Sequence, residues 1–305
     1  MIKTSGSWVA VPTPFDSAGN VDLGGLKALV DFQVANGTEM LLCMGSAGES
    51  AALTFEERQK ILPEIVKHSK GKISVFFTST VGSTATSIKF AKFAESEGAD
   101  GVIFTAPPYF MPPQPDIKQF LYDVMSSVSI PTAVYNNPGR TAVMIEPDTI
   151  AFLVKECPNF ALLKEAAANM EHLCRVMMAV GDKVKVFAVD APNNISNLLP
   201  LMGMGATGIN SFTGNIIPQE MVVMSKPWDT IEQVKTGREL YFKWLPLIKA
   251  LSCSTSPIPI KAGMRLLGLP CGFLRKPYQE LEGPGLDNLK RVMEELGVFA
   301  KYGKA

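Results

Sequence analysis

Four polar residues stand at the ends of short apolar runs in this chain, and their types suit carbonyl chemistry. Lys164 closes the run Phe160-Ala161-Leu162-Leu163, which reads as a buried strand. Burying an ammonium ion is costly unless the charge is paired or neutralised. Burial also depresses a lysine pKa, and a neutral amine is a nucleophile toward carbonyl carbon. Lys164 is therefore a candidate Schiff-base residue. The bland alternative is a lysine that snorkels from the strand end or pairs with Glu165. Forming an imine needs an amine, a proton shuttle and a clamp for the substrate carboxylate. Lys164 can supply the first, Tyr135 with Ser46 the second, and Arg140 or the Gly45–Gly48 amides the third. Each also has a plain structural reading: a core tyrosine with its hydroxyl at the rim, a surface ion pair, a glycine turn.

Such residues act together only if the elements before them converge. Apolar runs recur at Trp8–Val11, Met40–Met44, Ser74–Thr78, Gly101–Thr105, Thr132–Asn136, Phe160–Lys164, Val184–Ala188 and Gly208–Phe212. Their starts lie roughly 24 to 34 residues apart, with a helical pattern in each interval. Leu26, Leu29, Val30 and Val34 share one helix face. Thr54-Phe55-Glu56-Glu57 is a capping box, and Asp116-Ile117-Lys118-Gln119 reads as a second helix start. Strands apolar on both faces and alternating with helices indicate a parallel sheet. Eight such units predict a (β/α)8 TIM barrel over residues 1–223. Residues 224–305 read as a C-terminal helical extension packed on the barrel, with long helices at Trp228–Leu251 and Leu286–Tyr302. A doubly wound sheet is the rival architecture. Its support is Gly203-Met204-Gly205-Ala206-Thr207-Gly208, but this run closes a helix and leads into a strand, the reverse of a dinucleotide fingerprint.

The chain has 305 residues, 47% hydrophobic and 19% charged, with 29 basic and 29 acidic side chains. That balance carries no nucleic-acid or membrane footprint. The longest apolar runs are too short for a membrane span, and the first residues lack a signal-peptide core. Cytoplasmic placement is the expectation. Five cysteines without a C-x-x-C pair read as reduced thiols. The two histidines, His68 and His172, read as surface or helix-packing residues, so neither a His-based triad nor a metal site is expected.

Barrel active sites lie at the C-terminal ends of the strands. The polar groups there are Thr13, Ser46-Ala47-Gly48-Glu49, Tyr109-Phe110, Tyr135 through Arg140, Lys164-Glu165, Asp190 and Asn210. Four motifs in order carry a resemblance: Pro12-Thr13-Pro14-Phe15, Gly45-Ser46-Ala47-Gly48-Glu49-Ser50, Tyr135-Asn136-Asn137-Pro138-Gly139-Arg140-Thr141 and Leu163-Lys164-Glu165-Ala166. On these the chain resembles the dihydrodipicolinate synthase / N-acetylneuraminate lyase family of class I, pyruvate-handling aldolases. The likeness runs from about Val9 to Pro218 and is weaker beyond.

The resemblance implies roles. Lys164 matches the lysine that forms an imine with the keto carbon of pyruvate, and Tyr135 the tyrosine that relays protons. Ser46 matches the hydroxyl residue linked to that tyrosine. The turn at Ser46, Ala47 and Gly48 matches the carboxylate site, and Arg140 the arginine that helps hold the second substrate. Asp190 and Asn210 fall where the family contacts its substrates. No cofactor is implied beyond the covalent imine, and the partners implied are a 2-oxo acid and an aldehyde. A homo-oligomer is implied too, a tetramer of paired dimers or a dimer, with Tyr109 and Phe110 at the subunit interface near the site.

The family pattern is broken in four places. Phe110 stands where a second relay tyrosine is usual, and phenylalanine cannot pass a proton. Ala47 replaces a hydroxyl residue. The stretch Val189-Asp190-Ala191-Pro192 is altered, and Asn210 replaces an apolar residue. Phe55 and Arg58 also stand where the lysine-feedback histidines of some synthases would be. Three alternatives therefore remain: an aldolase or dehydratase acting on 2-keto-3-deoxy sugar acids, a non-catalytic 2-oxo acid sensor, and a phosphate-binding barrel using Gly205–Gly208 with the Thr213-Gly214 turn.

Overall fold

In the computed structural model, which describes residues 2–190 and 195–303, the sheet closes on itself. The strands are β1 (Gly6–Ala10), β2 (Met40–Cys43), β3 (Ser74–Thr78), β4 (Gly101–Thr105), β5 (Thr132–Asn136), β6 (Phe160–Glu165), β7 (Lys185–Val189) and β8 (Gly208–Ser211). They pair in parallel in chain order, and β8 returns to β1 through Gly6↔Gly208 to Val9↔Ser211. The helices between them are α1 (Leu23–Ala35), α2 (Phe55–Ser69), α3 (Thr84–Ser96), α4 (Gln114–Ser126), the single turn α5 (Pro138–Thr141), α6 (Pro147–Glu156), α7 (Met170–Val180), α8 (Ile195–Gly203) and α9 (Pro218–Met224). The predicted (β/α)8 barrel is the fold.

Side-chain alternation explains why the strands read apolar throughout. Trp8, Met40, Leu42, Phe76, Ile103, Leu162 and Phe187 fill the barrel interior. Val9, Leu41, Val75, Phe77 and Val134 point the other way, into the helix layer. Trp8 plugs the interior edge-on between Phe76 and Phe187, each ring centroid 5.3 Å away. Glycine makes room for this plug. A Cβ on Gly208 would lie 2.2 Å from the Gly6 carbonyl oxygen and 2.7 Å from the Phe187 ring.

Local signals place most helix ends. Thr54 and Glu57 form the expected capping box at α2. At α4 the expectation fails: the helix starts at Gln114 behind Pro113, and Asp116 lies inside the first turn. Pro115 fits that turn because its missing N–H would be unpaired anyway, and an acid there suits the helix dipole. The glycine run behaves as expected. Gly205 turns with φ +102° after α8, and Gly208 opens β8. This disposes of the phosphate-barrel arrangement, since Gly205–Gly208 lie at the start of β8 whereas Thr213-Gly214 follow its far end.

Beyond α9 lie α10 (Ile231–Ala250), α11 (Ile258–Leu266), α12 (Gly283–Glu295) and α13 (Val298–Tyr302). The single helix expected over Leu286–Tyr302 is two, broken where Gly297 adopts φ +71°. This C-terminal part reaches the top of the barrel. Phe273 bridges to Phe15, and Arg275 grips Glu57 and the carbonyls of Gly19 and Ala52. No helix among the described residues is long and apolar enough to cross a membrane. Cys43, Cys157 and Cys271 are buried free thiols, and Cys174 and Cys253 are exposed ones.

Candidate active site

A cavity of about 410 Å³ opens at the C-terminal ends of the strands, and Lys164, Tyr135, Ser46, Ala47, Arg140 and Asn210 all line it. Strand parity alone would not have put Lys164 there. Phe160 faces the helices, and strict alternation from it would turn Lys164 outward as well. The β5–β6 register slips by one residue, so Ala133 pairs with Leu162 and Ala161 is skipped. After that irregularity Leu162 faces inward, and Lys164 follows it beside its register partner Tyr135.

Lys164 is 4% exposed, and its Nζ lies 3.8 Å from the centroid of the Tyr135 ring. Burial is the main force on its pKa, which falls to about 7; Arg140 lowers it further and Asp190 opposes the fall. The amine is thus about half neutral at neutral pH. Burial pushes the Tyr135 phenol the other way, above its ordinary value, so it stays protonated. Asn137 Nδ2 donates to the phenol oxygen. That leaves the phenolic hydrogen available to another acceptor. Ser46, expected to partner Tyr135, lines the same cavity, but the bond on the phenol comes from Asn137. The i, i+2 spacing across the strand end is the signal that could have pointed to it.

Ser46 and Ala47 sit on the turn after β2. Glu49 ends this turn at φ 54°, a left-handed conformation that a non-glycine residue adopts only when held. The hold is an ion pair: Glu49 Oε1 accepts from Lys261 Nζ at 2.6 Å, and both side chains are fully buried. Gly48 is packed beneath the turn rather than on the cavity. Its carbonyl accepts from Thr13 Oγ1, and an added Cβ would lie 3.1 Å from the Met44 backbone.

Asp190 was expected at the substrate, yet it is absent from the described lining. Val189 faces into the barrel, so its neighbour faces out. Asp190 accepts bonds from Ser211 Oγ (2.5 Å), the Phe212 amide (3.0 Å) and the Thr213 amide (3.1 Å). It braces the turn after β8. The altered Ala191-Pro192 stretch lies outside the described residues.

Arg140 is tethered by a bond from Nη2 to the Ser256 carbonyl at 3.2 Å. This links the short helix α5 to a wall that the barrel does not supply. Ser252, Ser254, Thr255 and Ser256, from the loop after α10, line the cavity as well. Nothing local in the sequence marked them. His172 was read as a helix-packing residue, and it packs α7 inward onto polar partners. Its Nε2 lies 3.2 Å from Asn136 Nδ2 and 3.4 Å from Glu165 Oε2. Asn136 also clamps Ile145 through its amide and carbonyl. The outward neighbours of Tyr135 and Lys164 thereby fix the loop that carries Arg140.

Tyr109 and Phe110 lie away from the cavity, 93% and 71% exposed, beside Met111 at 60%. A second cavity, of about 680 Å³, adjoins the first through Ser46, Tyr135 and Arg140. Arg58 on its wall is folded inward onto the carbonyls of Thr78 and Ser50. No group of three or more metal-ligating side chains occurs among the described residues.

A sequence profile described as the Dihydrodipicolinate synthetase family matches residues 3–296. The chain belongs to that family. Within it, the chain is 34% identical over 299 residues to a 4-hydroxy-tetrahydrodipicolinate synthase of Methanococcus vannielii, covering 96% of this chain and 99% of the relative. The crystal structure of dihydrodipicolinate synthase from Aquifex aeolicus superposes with a TM-score of 0.89 at 32% identity, over 96% of this chain and 98% of that one. A Thermotoga maritima dihydrodipicolinate synthase gives 0.90 at 30% identity, over 96% and 99%. Family membership therefore extends across the C-terminal helices, where the sequence motifs alone were faint.

Proposed function

We propose that this chain is a Schiff-base lyase of the dihydrodipicolinate synthase type, which makes or breaks a carbon–carbon bond between a pyruvate-class 2-oxo acid and an aldehyde. The observation that carries the proposal is Lys164, a buried amine with a pKa near 7, lying over Tyr135 at the base of the cavity. Full-length similarity to 4-hydroxy-tetrahydrodipicolinate synthases supports the same class.

The neutral Lys164 amine attacks C2 of the 2-oxo acid, and the carbinolamine loses its oxygen as water. Tyr135 passes the protons this requires, its oxygen held by Asn137. Ser46 and the amides of the Ser46–Ala47 turn hold the substrate carboxylate. The resulting iminium draws the C3–H electron pair toward nitrogen as the Tyr135 oxygen, which gave its proton to the departing water, takes the C3 proton, giving an enamine. The enamine carbon adds to the aldehyde carbon, and the aldehyde oxygen takes that proton from Tyr135. Water then hydrolyses the imine and returns Lys164. The covalent imine is the electron sink, so the cycle as written uses no further cofactor. A second copy of this chain covers the exposed Tyr109-Phe110-Met111 loop, in line with the expected oligomer.

The pH dependence tests the reading. Imine formation is expected to rise about tenfold per pH unit below pH 7 and to level above it, because the attacking species is the deprotonated amine. Stopped-flow rates with pyruvate that stay flat from pH 5.5 to 8.5 would contradict it. Tyr135→Phe is expected to slow turnover by about 10²–10⁴-fold while pyruvate still binds, measured as kcat beside pyruvate affinity. An unchanged kcat would remove Tyr135 from the mechanism.

A further inference from the structure

We propose that His172 is a positioning residue for the second half of the reaction: its Nε2–H bonds Glu165 and, through Asn136, holds the loop that presents Arg140 to the aldehyde. The inference rests on the imine reading above and assigns Arg140 to the aldehyde partner.

The hydrogen bonds decide which nitrogen of His172 carries the proton. The Ile145 amide donates to Asn136 Oδ1 at 2.9 Å, which fixes the orientation of that side-chain amide. Asn136 Nδ2 then faces the Ile145 carbonyl at 3.2 Å, Glu165 Oε2 at 3.0 Å and His172 Nε2 at 3.2 Å. An amide nitrogen has two hydrogens, and the two oxygens take them. Nothing is left to donate to His172 Nε2. That nitrogen also lies 3.4 Å from Glu165 Oε2, where a bare lone pair would face a carboxylate. Nε2 therefore carries a hydrogen and donates it to Glu165. Nδ1 agrees. It is buried without a partner among the described residues, so the neutral ring keeps its hydrogen elsewhere.

Glu165 needs this donor. Its side chain is fully buried, and among the described residues its ion-pair partner is His172. Its other oxygen accepts from the Ala167 amide at 2.7 Å. Stranding a buried carboxylate is costly, and the donor within reach is Asn136. Without His172, Glu165 draws Asn136 away from Ile145.

That shift reaches Arg140 and spares the imine pair. Tyr135 and Lys164 are held by the β5–β6 ladder, where they pair in register. Arg140 lies outside any strand, on the segment from α5 to Ile145. Asn136 clips this segment at Ile145 from within, and Gln114 of α4 clips it at Met144 and Glu146 from the other side. Among the described residues lining the first cavity, Arg140 is the charged side chain besides Lys164. A guanidinium placed there bonds an oxygen-bearing group of the incoming aldehyde.

The test separates the two half-reactions. The aldehyde used is whichever of aspartate β-semialdehyde, succinic semialdehyde and glyceraldehyde wild type turns over best with pyruvate. His172→Ala is expected to lower kcat/KM for that aldehyde by about 10- to 100-fold. Its rate of imine formation with pyruvate, read by borohydride trapping, should stay within about twofold of wild type. His172→Gln, which keeps an N–H donor, should recover most of the loss. In an Arg140→Ala background, His172→Ala should cost less than about a further twofold, because the group it positions is gone. An equal loss in both half-reactions, or the full loss again without Arg140, would overturn the proposal and leave the imine reading standing. Failure of wild type to trap any imine would instead remove that reading. A second measurement needs no variant at position 172 to fold. The chain has two histidines, so nitrogen-15 NMR of histidine-labelled protein, assigned with His68→Gln, reads each ring directly. A hydrogen on His172 Nε2 is expected, and a bare Nε2 would overturn the proposal.

Discussion

Lys164→Ala is expected to lower turnover by about four orders of magnitude or more and to leave the protein at least as thermally stable as wild type. The two halves of this result have one cause. The amine is nearly enclosed by the barrel interior, and burial holds its pKa near 7. An unfolded chain would hold a lysine at about 10.4. Between those values the unfolded state binds the proton more readily, so stability falls as pH drops from about 10 toward 7. Removing the side chain removes that penalty together with the nucleophile. Melting and turnover measured on one sample separate the effects. Turnover above about a tenth of wild type would mean that chemistry runs without the lysine.

Lys261→Met is expected to destabilise the protein by about 3–5 kcal/mol, read from the urea midpoint at constant slope. Lys261 is fully buried on α11, its Nζ 2.6 Å from Glu49 Oε1, 2.6 Å from the Phe273 carbonyl and 4.7 Å from the centroid of the Phe15 ring. Removing it strands the Glu49 carboxylate in the interior with, among the described residues, the Arg275 amide at 2.9 Å as its remaining hydrogen-bond donor. A double change, Glu49→Gln with Lys261→Met, should recover part of the loss, because the orphaned charge goes with it. The site should feel the single change too. Glu49 holds its left-handed turn against the barrel, and that turn carries Ser46 and Ala47. A loss below about 1 kcal/mol would mean that water or a shifted side chain replaces the cation.

The barrel was legible because its strands are apolar on both faces, a pattern that does not depend on knowing partners. β3, β4 and β5 begin and end where their apolar runs do. Lys164, Tyr135, Ser46, Arg140 and Asn210 were legible as polar residues at or just beyond strand ends, with Ala47 legible from the turn motif beside Ser46, and the fold brings all six to one cavity. What escaped the sequence was facing. Asp190 stands at a strand end like Lys164, but parity turns it to the helix layer, whereas a register slip at Ala161 turns Lys164 in. Neither event leaves a local mark. Distance in the chain hid the rest. Lys261 lies 212 residues from Glu49, and the Ser252–Ser256 wall faces Ser46 only once the C-terminal helices fold over the barrel. His172 read as an ordinary helix residue because its partners, Asn136 and Glu165, come from two other strands.

The most direct measurement is borohydride reduction of the protein with excess pyruvate, followed by peptide mass spectrometry. One pyruvate-derived adduct is expected, on Lys164, with a yield that falls as pH drops below about 7. An adduct on another lysine, or none from folded protein across a panel of 2-oxo acids, would contradict it.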